Sequence, residues 1–313
     1  MLGRTASSLF WMSRYMERAE NMARLAEAGF RMALTSGDGH GEEWRSTLQS
    51  AGAVDAYAGK HGDRISDDTV LAFLLFDEDN PSSVRSCLRM ARDNARFVRT
   101  KITRDMWEAM NSTWLGFGQI DPGQVTTARL PDFLDWVRQR TALFRGALLG
   151  TILRDDTYYF SQLGAFIERA DNTARIMDVK YFILLPINHP VGGEIDTFQW
   201  ETILRSVSAH RSYRHVFSGG YRAWNVAEFL ILRPEMPRSL RFCYDWLSDT
   251  AEGLGACYGE RAPCADVIAD TRAMLCGTRM EAIFQQGLHE FLTDFLSRNN
   301  GVTAALSSDY NFG

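Results

Sequence analysis

No stretch of this 313-residue chain is apolar for long enough to cross a bilayer: the most apolar run near the middle, residues 142–153, is short and is interrupted by Arg145. A secretory leader is not indicated either, because residues 1–24 carry charge in every stretch long enough to be its apolar core, so the expected location is the cytoplasm. Cysteine is scarce. Cys87, Cys243, Cys257, Cys264 and Cys276 include neither a Cys-x-x-Cys pair nor a Cys/His cluster of zinc-finger spacing, and are expected to be reduced, mostly packed thiols. A strong excess of one charge is also missing: a net charge of -5 gives no global attraction to nucleic acid or to an anionic membrane, and neither is an expected partner. There is no phosphate-cradling Gly-x-x-x-x-Gly-Lys-Ser/Thr loop and no acidic metal constellation, so no cofactor and no metal site are expected. Alternating runs of branched residues are few. Apolar residues recur at helical spacing instead, which predicts an all-α fold of about ten helices.

The main breaks fall at residues 36–41, 77–81, 116–123, 186–193 and 233–237. Across them the chain repeats itself. Glu17-Arg18-Ala19-Glu20-Asn21-Met22-Ala23-Arg24 returns 151 residues later as Glu168-Arg169-Ala170-Asp171-Asn172-Thr173-Ala174-Arg175. Trp44, Tyr57, Phe73, Leu74, Pro81, Ser83, Arg85 and Cys87 return 156 residues later as Trp200, Tyr213, Phe229, Leu230, Pro237, Ser239, Arg241 and Cys243. The five-residue difference fits a longer first connection, 183–198 against 33–42, and loops tolerate such insertions. A tandem duplication of a multi-helix unit, 1–155 and 156–313, accounts for both registers. The long helix expected over 157–185 leaves no flexible linker between the halves, so they are expected to form one fused, pseudo-two-fold helical body.

At 100° per residue, Met12, Tyr15, Met16, Ala19, Met22, Ala23 and Ala26 form one apolar stripe, and Arg14, Glu17, Arg18, Asn21 and Arg24 share a nearly opposite sector. The second copy has Leu163, Phe166, Ile167, Ala170, Ala174, Met177 and Tyr181 against Glu168, Arg169, Asn172 and Arg175. Towards the C-terminus the polar sector becomes Leu25, Ala28 and Met32, and Ile176, Val179 and Ile183. A solvated face rarely turns apolar in this way, so the charged end is expected in a recess where its ions need partners. Glu17 is expected to meet Arg14 or Asn21. Glu168 has Ala165 at the position matching Arg14, so its cation must come from near Asn172, from another helix or from the other copy, which makes the recess asymmetric.

Three roles compete for this cluster: an interhelical ion-pair lock, an anion site gripped by Arg18, Arg24, Arg169 and Arg175, and catalysis with Glu17 or Glu168 as general base. Four nearby arginines would depress a carboxylate pKa and argue against the last. Weaker signals lie elsewhere. Arg85, Arg89, Arg92, Arg96 and Arg99 make a stripe that is either cationic and ligand-facing or paired with Asp93 and Asp77; Arg85, Arg92, Arg96 and the matching Arg241 are secondary candidates. Arg211, Arg214, His215 and Arg222 form a basic patch that reads best as a solvated face, and His289-Glu290 lacks the second His of a zinc-protease helix.

The duplicated Glu-Arg-Ala-(Glu/Asp)-Asn-x-Ala-Arg resembles the bacterial alpha-E family, together with Phe73-Leu74-x-x-Asp77-x-x-Asn80-Pro81-x-Ser83, Ala91-Arg92-x-Asn94-Ala95-Arg96, Phe229-Leu230 and Pro237-Arg238-Ser239. That family is named for an α-helical domain with this Glu-Arg motif, and the resemblance covers essentially the whole chain. One departure is Arg233, where the pattern leads one to expect an acidic residue. The resemblance implies partnership with circularly permuted ATP-grasp proteins, to which members are sometimes fused, and proximity to transglutaminase-like proteins and proteasome-like peptidases. The implied function is a helical partner subunit of an ATP-grasp ligase in a peptide- or amide-forming pathway. The alternatives are a stand-alone transferase or amide-forming enzyme using the recess, and a purely structural adaptor.

Overall fold

The computed structural model describes residues 1–34, 41–182 and 192–312, and every regular element among them is helical. The first helices in chain order are α1 (Gly3–Ala33), α2 (Gly41–Ser50), α3 (Val54–His61), α4 (Asp67–Leu75), α5 (Val84–Phe97), α6 (Arg104–Phe117) and α7 (Leu130–Thr151). They are followed by α8 (Asp156–Phe182), α9 (Glu194–Ser206), α10 (His210–Val216), α11 (Ala223–Ile231), α12 (Leu240–Tyr258), α13 (Cys264–Gly277), α14 (Met280–Gln286) and α15 (Leu288–Asp309). The described residues thus hold fifteen α-helices, more than the ten expected, because segments between neighbouring turns close into separate helices as short as the seven residues of α10 and α14. Ile183 and most of the 183–198 connection lie outside the described residues, as does the side chain of Tyr181.

Hydroxyl side chains cap the start of four of these helices. Ser66 and Thr69 form a reciprocal capping box on α4, while Thr103, Ser83 and Ser239 accept from the third residue of α6, α5 and α12. Ser83 and Ser239 also brace the loops before their helices. Ser83 Oγ donates to the Asp77 carbonyl at 2.6 Å and Ser239 Oγ to the Arg233 carbonyl at 2.6 Å. That loop uses the backbone at position 233, which explains how arginine stands where an acid was expected; its guanidinium pairs with Glu228 at 2.8 Å. Trp44 and Trp200 are both core residues, and the Trp44 indole N–H donates to Asp67 at 2.7 Å.

Helices α1 and α8 are the centre of the molecule: each packs against the other and against a ring of neighbours, α2, α5, α7 and α9 around α1, and α2, α9, α12 and α15 around α8. Such surroundings bury a helix on several faces, and Leu25, Ala28, Met32, Ile176 and Val179 are all buried although they continue the polar sector. Contacts run Met1–Asp156, Phe10–Gly164 and Glu17–Arg169, so the two helices point the same way. Their close approach depends on Gly164, where an added Cβ would lie 2.1 Å from the Phe10 carbonyl oxygen. The ends of the chain's helices meet here too, with Phe312 packed on Phe10 and Phe160.

Candidate functional site

Where α1 and α8 cross, the two Glu-Arg dipeptides exchange partners. Glu17 accepts from Arg169 Nε at 2.9 Å and Nη2 at 3.1 Å; Glu168 accepts from Arg18 Nε at 2.6 Å and Nη2 at 2.8 Å. Both pairs are bidentate, the strongest geometry available to guanidinium and carboxylate. Adjacent residues on a helix point about 100° apart, so the glutamate and arginine of one dipeptide cannot face each other, but each can face the opposite member across a parallel helix.

Each carboxylate then collects further cations, and here the sequence expectations need correcting. Glu17 meets neither Arg14 nor Asn21. Arg14 crosses to Glu168 at 2.7 Å and to Thr303 Oγ1 at 2.9 Å, while Asn21 Nδ2 donates to the Glu168 carbonyl at 3.2 Å. The reason is the close α1–α8 contact, which places Glu168 between Arg14 and Arg18, one turn apart on α1. Glu17 is instead approached by Arg145 from α7 at 3.3 Å and by Arg238 at 3.3 Å. Neither was among the sequence candidates. Glu20, also missed, accepts from Arg24 Nη2 at 2.6 Å and Thr141 Oγ1 at 2.9 Å, and from Arg238 and Arg145. A charge inside an apolar run, such as Arg145 within 142–153, is the signal that could have found one of them.

The outer members repeat one arrangement. Arg24 pairs with Glu20 four residues earlier and donates to the Ser206 carbonyl at 2.7 Å; Arg175 pairs with Asp171 four residues earlier and donates to the Ser50 carbonyl at 3.3 Å. Glu17 and Glu168 are each 3% exposed. Burial by itself would raise their pKa values, but Arg169, Arg145 and Arg238 around Glu17, and Arg18 and Arg14 around Glu168, outweigh it and hold both at about 2. Glu20 is held well below the usual carboxylate range against the same burial, chiefly by Arg238, Arg24 and Arg145. Burial, and secondly repulsion from Arg24, lowers Arg238 to about 10.

Two cavities flank the network. One, of about 180 Å³, is lined by Arg14, Arg18, Asn21, Glu168, Asn172 and Arg175, so six of the nine recess candidates share it. Glu17 and Arg169 line the other, of about 210 Å³, and Arg24 lines neither. The secondary arginines do not join them. Arg85 pairs with Glu78, Arg92 donates to Asn111, Arg241 pairs with Asp245, and Arg96 is exposed. Helix α5 turns its apolar side to the core, so this stripe faces outward, and Asp77 is taken by Lys60 rather than by the stripe. Arg211, Arg214, His215 and Arg222 are exposed, and His289 is hydrogen-bonded to Asp178 at 2.7 Å.

Among the described residues no group of three or more His, Cys, Asp or Glu is placed to hold a metal ion, and no helix is long and apolar enough to cross a membrane. Cys87, Cys243 and Cys264 are buried; burial pushes the first two thiols up to about 12, far from thiolate reactivity.

Residues 1–310 match the family described as Alpha-E, a predicted alpha-helical domain with a conserved ER motif. Similar proteins include uncharacterized proteins of Mycobacterium bovis and Mycobacterium tuberculosis, each 26% identical over 323 residues that cover 97% of this chain and 35% of theirs. The chain therefore spans about a third of the length of these curated relatives. No solved structure matches it. With its two Glu-Arg dipeptides interlocked at the centre of an all-helical body, the chain belongs to the Alpha-E family.

Proposed function

We propose that this chain is a helical partner of a circularly permuted ATP-grasp ligase in a cytoplasmic peptide- or amide-forming pathway, and that its Glu-Arg helices hold the body together rather than perform chemistry. One observation carries the non-catalytic part: both motif carboxylates are buried, ionised and occupied by guanidiniums, with pKa values of about 2. A general base needs a pKa nearer the working pH and a lone pair facing substrate. The stand-alone enzyme reading is correspondingly weaker. The partnership rests on what the family resemblance implies, and it gains support from relatives in which nearly two thirds of the length lies outside the matched region.

The same reading treats residues 1–155 and 156–313 as duplicated units fused about a pseudo-two-fold axis. It is supported by the reciprocal pairs Glu17–Arg169 and Glu168–Arg18, by the matched bonds from Arg24 and Arg175 to the carbonyls of Ser206 and Ser50, and by the matched caps Ser83 and Ser239.

Co-expression with a circularly permuted ATP-grasp protein from the same organism, followed by affinity purification and an ATP-dependent product assay with and without this chain, tests the partnership. The expected result is a stable complex whose product formation depends on this chain. A ligase that is fully active alone and never associates would refute it.

A further inference from the structure

The cavity on the Glu17 side has features that the ion-pair lock does not use. It lies between α1, α7, α8 and α12, and it opens beside Ala165, the position at which α1 carries Arg14. Arg14 brings a guanidinium to the cavity on the Glu168 side, whereas the cavity of about 210 Å³ on the Glu17 side has the methyl group of Ala165 at the matching position. The walls are largely apolar and aromatic. Phe166 and Trp246 stack at 5.4 Å with 7° between their planes, Phe242 lies 6.2 Å from Phe166, and Trp246 is 39% exposed at the rim.

Three polar groups at this cavity lack full protein partners. Ser13 Oγ is buried with no hydrogen bond. Gln162 is 4% exposed, and its amide makes no hydrogen bond among the described residues. Arg145 gives only Nη2 to Glu17 and Glu20, leaving Nε and Nη1 without a hydrogen-bond partner among the described residues, and its side chain is 32% exposed. A buried polar group without a partner costs on the order of 1–3 kcal/mol, which applies here to Ser13 Oγ, while Gln162 and the open edge of Arg145 offer further donors to a ligand in the same cavity. Charge points the same way. Around Glu17 and Glu20 stand four guanidiniums, Arg24, Arg169 and Arg238 nearly closed to water and Arg145 about a third exposed, which leaves an excess of positive charge.

We propose that this cavity is a binding site for a small aromatic carboxylate, with the ring lying against the wall formed by Phe166, Phe242 and Trp246 and the carboxylate on the free edge of Arg145, within reach of Gln162. The site is independent of the ligase partnership and would serve as a ligand sensor or a substrate-holding site on the helical body. The volume limits the occupant to a molecule of single-ring size.

The test is calorimetric titration of the purified full chain with 3-phenylpropanoate and its neutral isostere 3-phenylpropanamide, repeated on Ala165→Met. Methionine fills the cavity without removing any charged group of the network, and an unchanged Tm serves as the folding control. The expected result is saturable binding of the acid to the wild type, at least tenfold weaker binding of the amide, and at least tenfold weaker binding of the acid to Ala165→Met. Absence of saturable binding to the wild type overturns the proposal. Equal affinity for the amide would leave only an apolar cleft and also overturns it, and undiminished binding to a folded Ala165→Met would place the ligand elsewhere.

Discussion

Glu168 accepts hydrogen bonds from two guanidiniums in a setting almost closed to water, so its value to the fold is best measured by removing its charge alone. Glu168→Gln keeps the shape but strands Arg14 and Arg18, and breaking a buried pair from one side costs about 3–5 kcal/mol. Urea unfolding of this variant is expected to show a loss of that size, whereas Glu108→Gln at the exposed pair Arg104–Glu108 should leave the unfolding midpoint essentially unchanged. Acid has the same effect by another route. Glu17 and Glu168 sit at about 2 when folded against an ordinary 4.5, so the unfolded chain binds their protons first. The contribution is complete above about pH 4.5 and is lost as the pH falls from there towards 2. The wild-type Tm should therefore drop more steeply across that window than the Tm of Glu17→Gln, and parallel slopes would contradict the assignment.

At the scale of elements, the parallel contact of α1 and α8 depends on a missing side chain. Gly164→Ala would drive a methyl into the Phe10 carbonyl, a backbone atom that cannot step aside, and the expected cost is about 3 kcal/mol, the upper end of ordinary overpacking. Gly146 on α7 is the control: nothing stands within 4 Å of its Cβ position, so Gly146→Ala should instead stabilise by roughly 0.5–1 kcal/mol in thermal or urea unfolding. The helical nature of these elements, and the burial of a charged face on α1 and α8, were legible in the sequence because Leu25, Ala28 and Met32 extend that face in apolar form. The asymmetry between Arg14 and Ala165 was legible too, but its direction was not. Local spacing pointed Arg14 at Glu17 on its own helix, and only the crossing at Gly164 turns it towards Glu168. Arg145 and Arg238 were missed as site residues because they reach Glu17 from segments more than a hundred residues away, and helix periodicity carries no information about which distant helix packs alongside.

For the whole molecule, the network ties residues on either side of position 155 into one body. A fragment of residues 1–155 would expose the α8-facing side of α1 and leave Arg14 and Arg18 without Glu168; a fragment of 156–313 would leave Glu168 and Arg169 equally unmatched. Each fragment alone is expected to be poorly folded by circular dichroism, and co-expression should recover a one-to-one complex of native helicity. A fragment that is fully stable on its own would argue for separable domains. The most direct test of the central claim, that the Glu-Arg dipeptides form a permanently ionised lock rather than a catalytic site, is the carboxyl titration itself. The claim predicts that the ¹³Cδ signals of Glu17 and Glu168, assigned through their Gln variants, remain those of carboxylates at every pH down to the acid unfolding transition. Titration of either signal in the folded protein near neutral pH would contradict it.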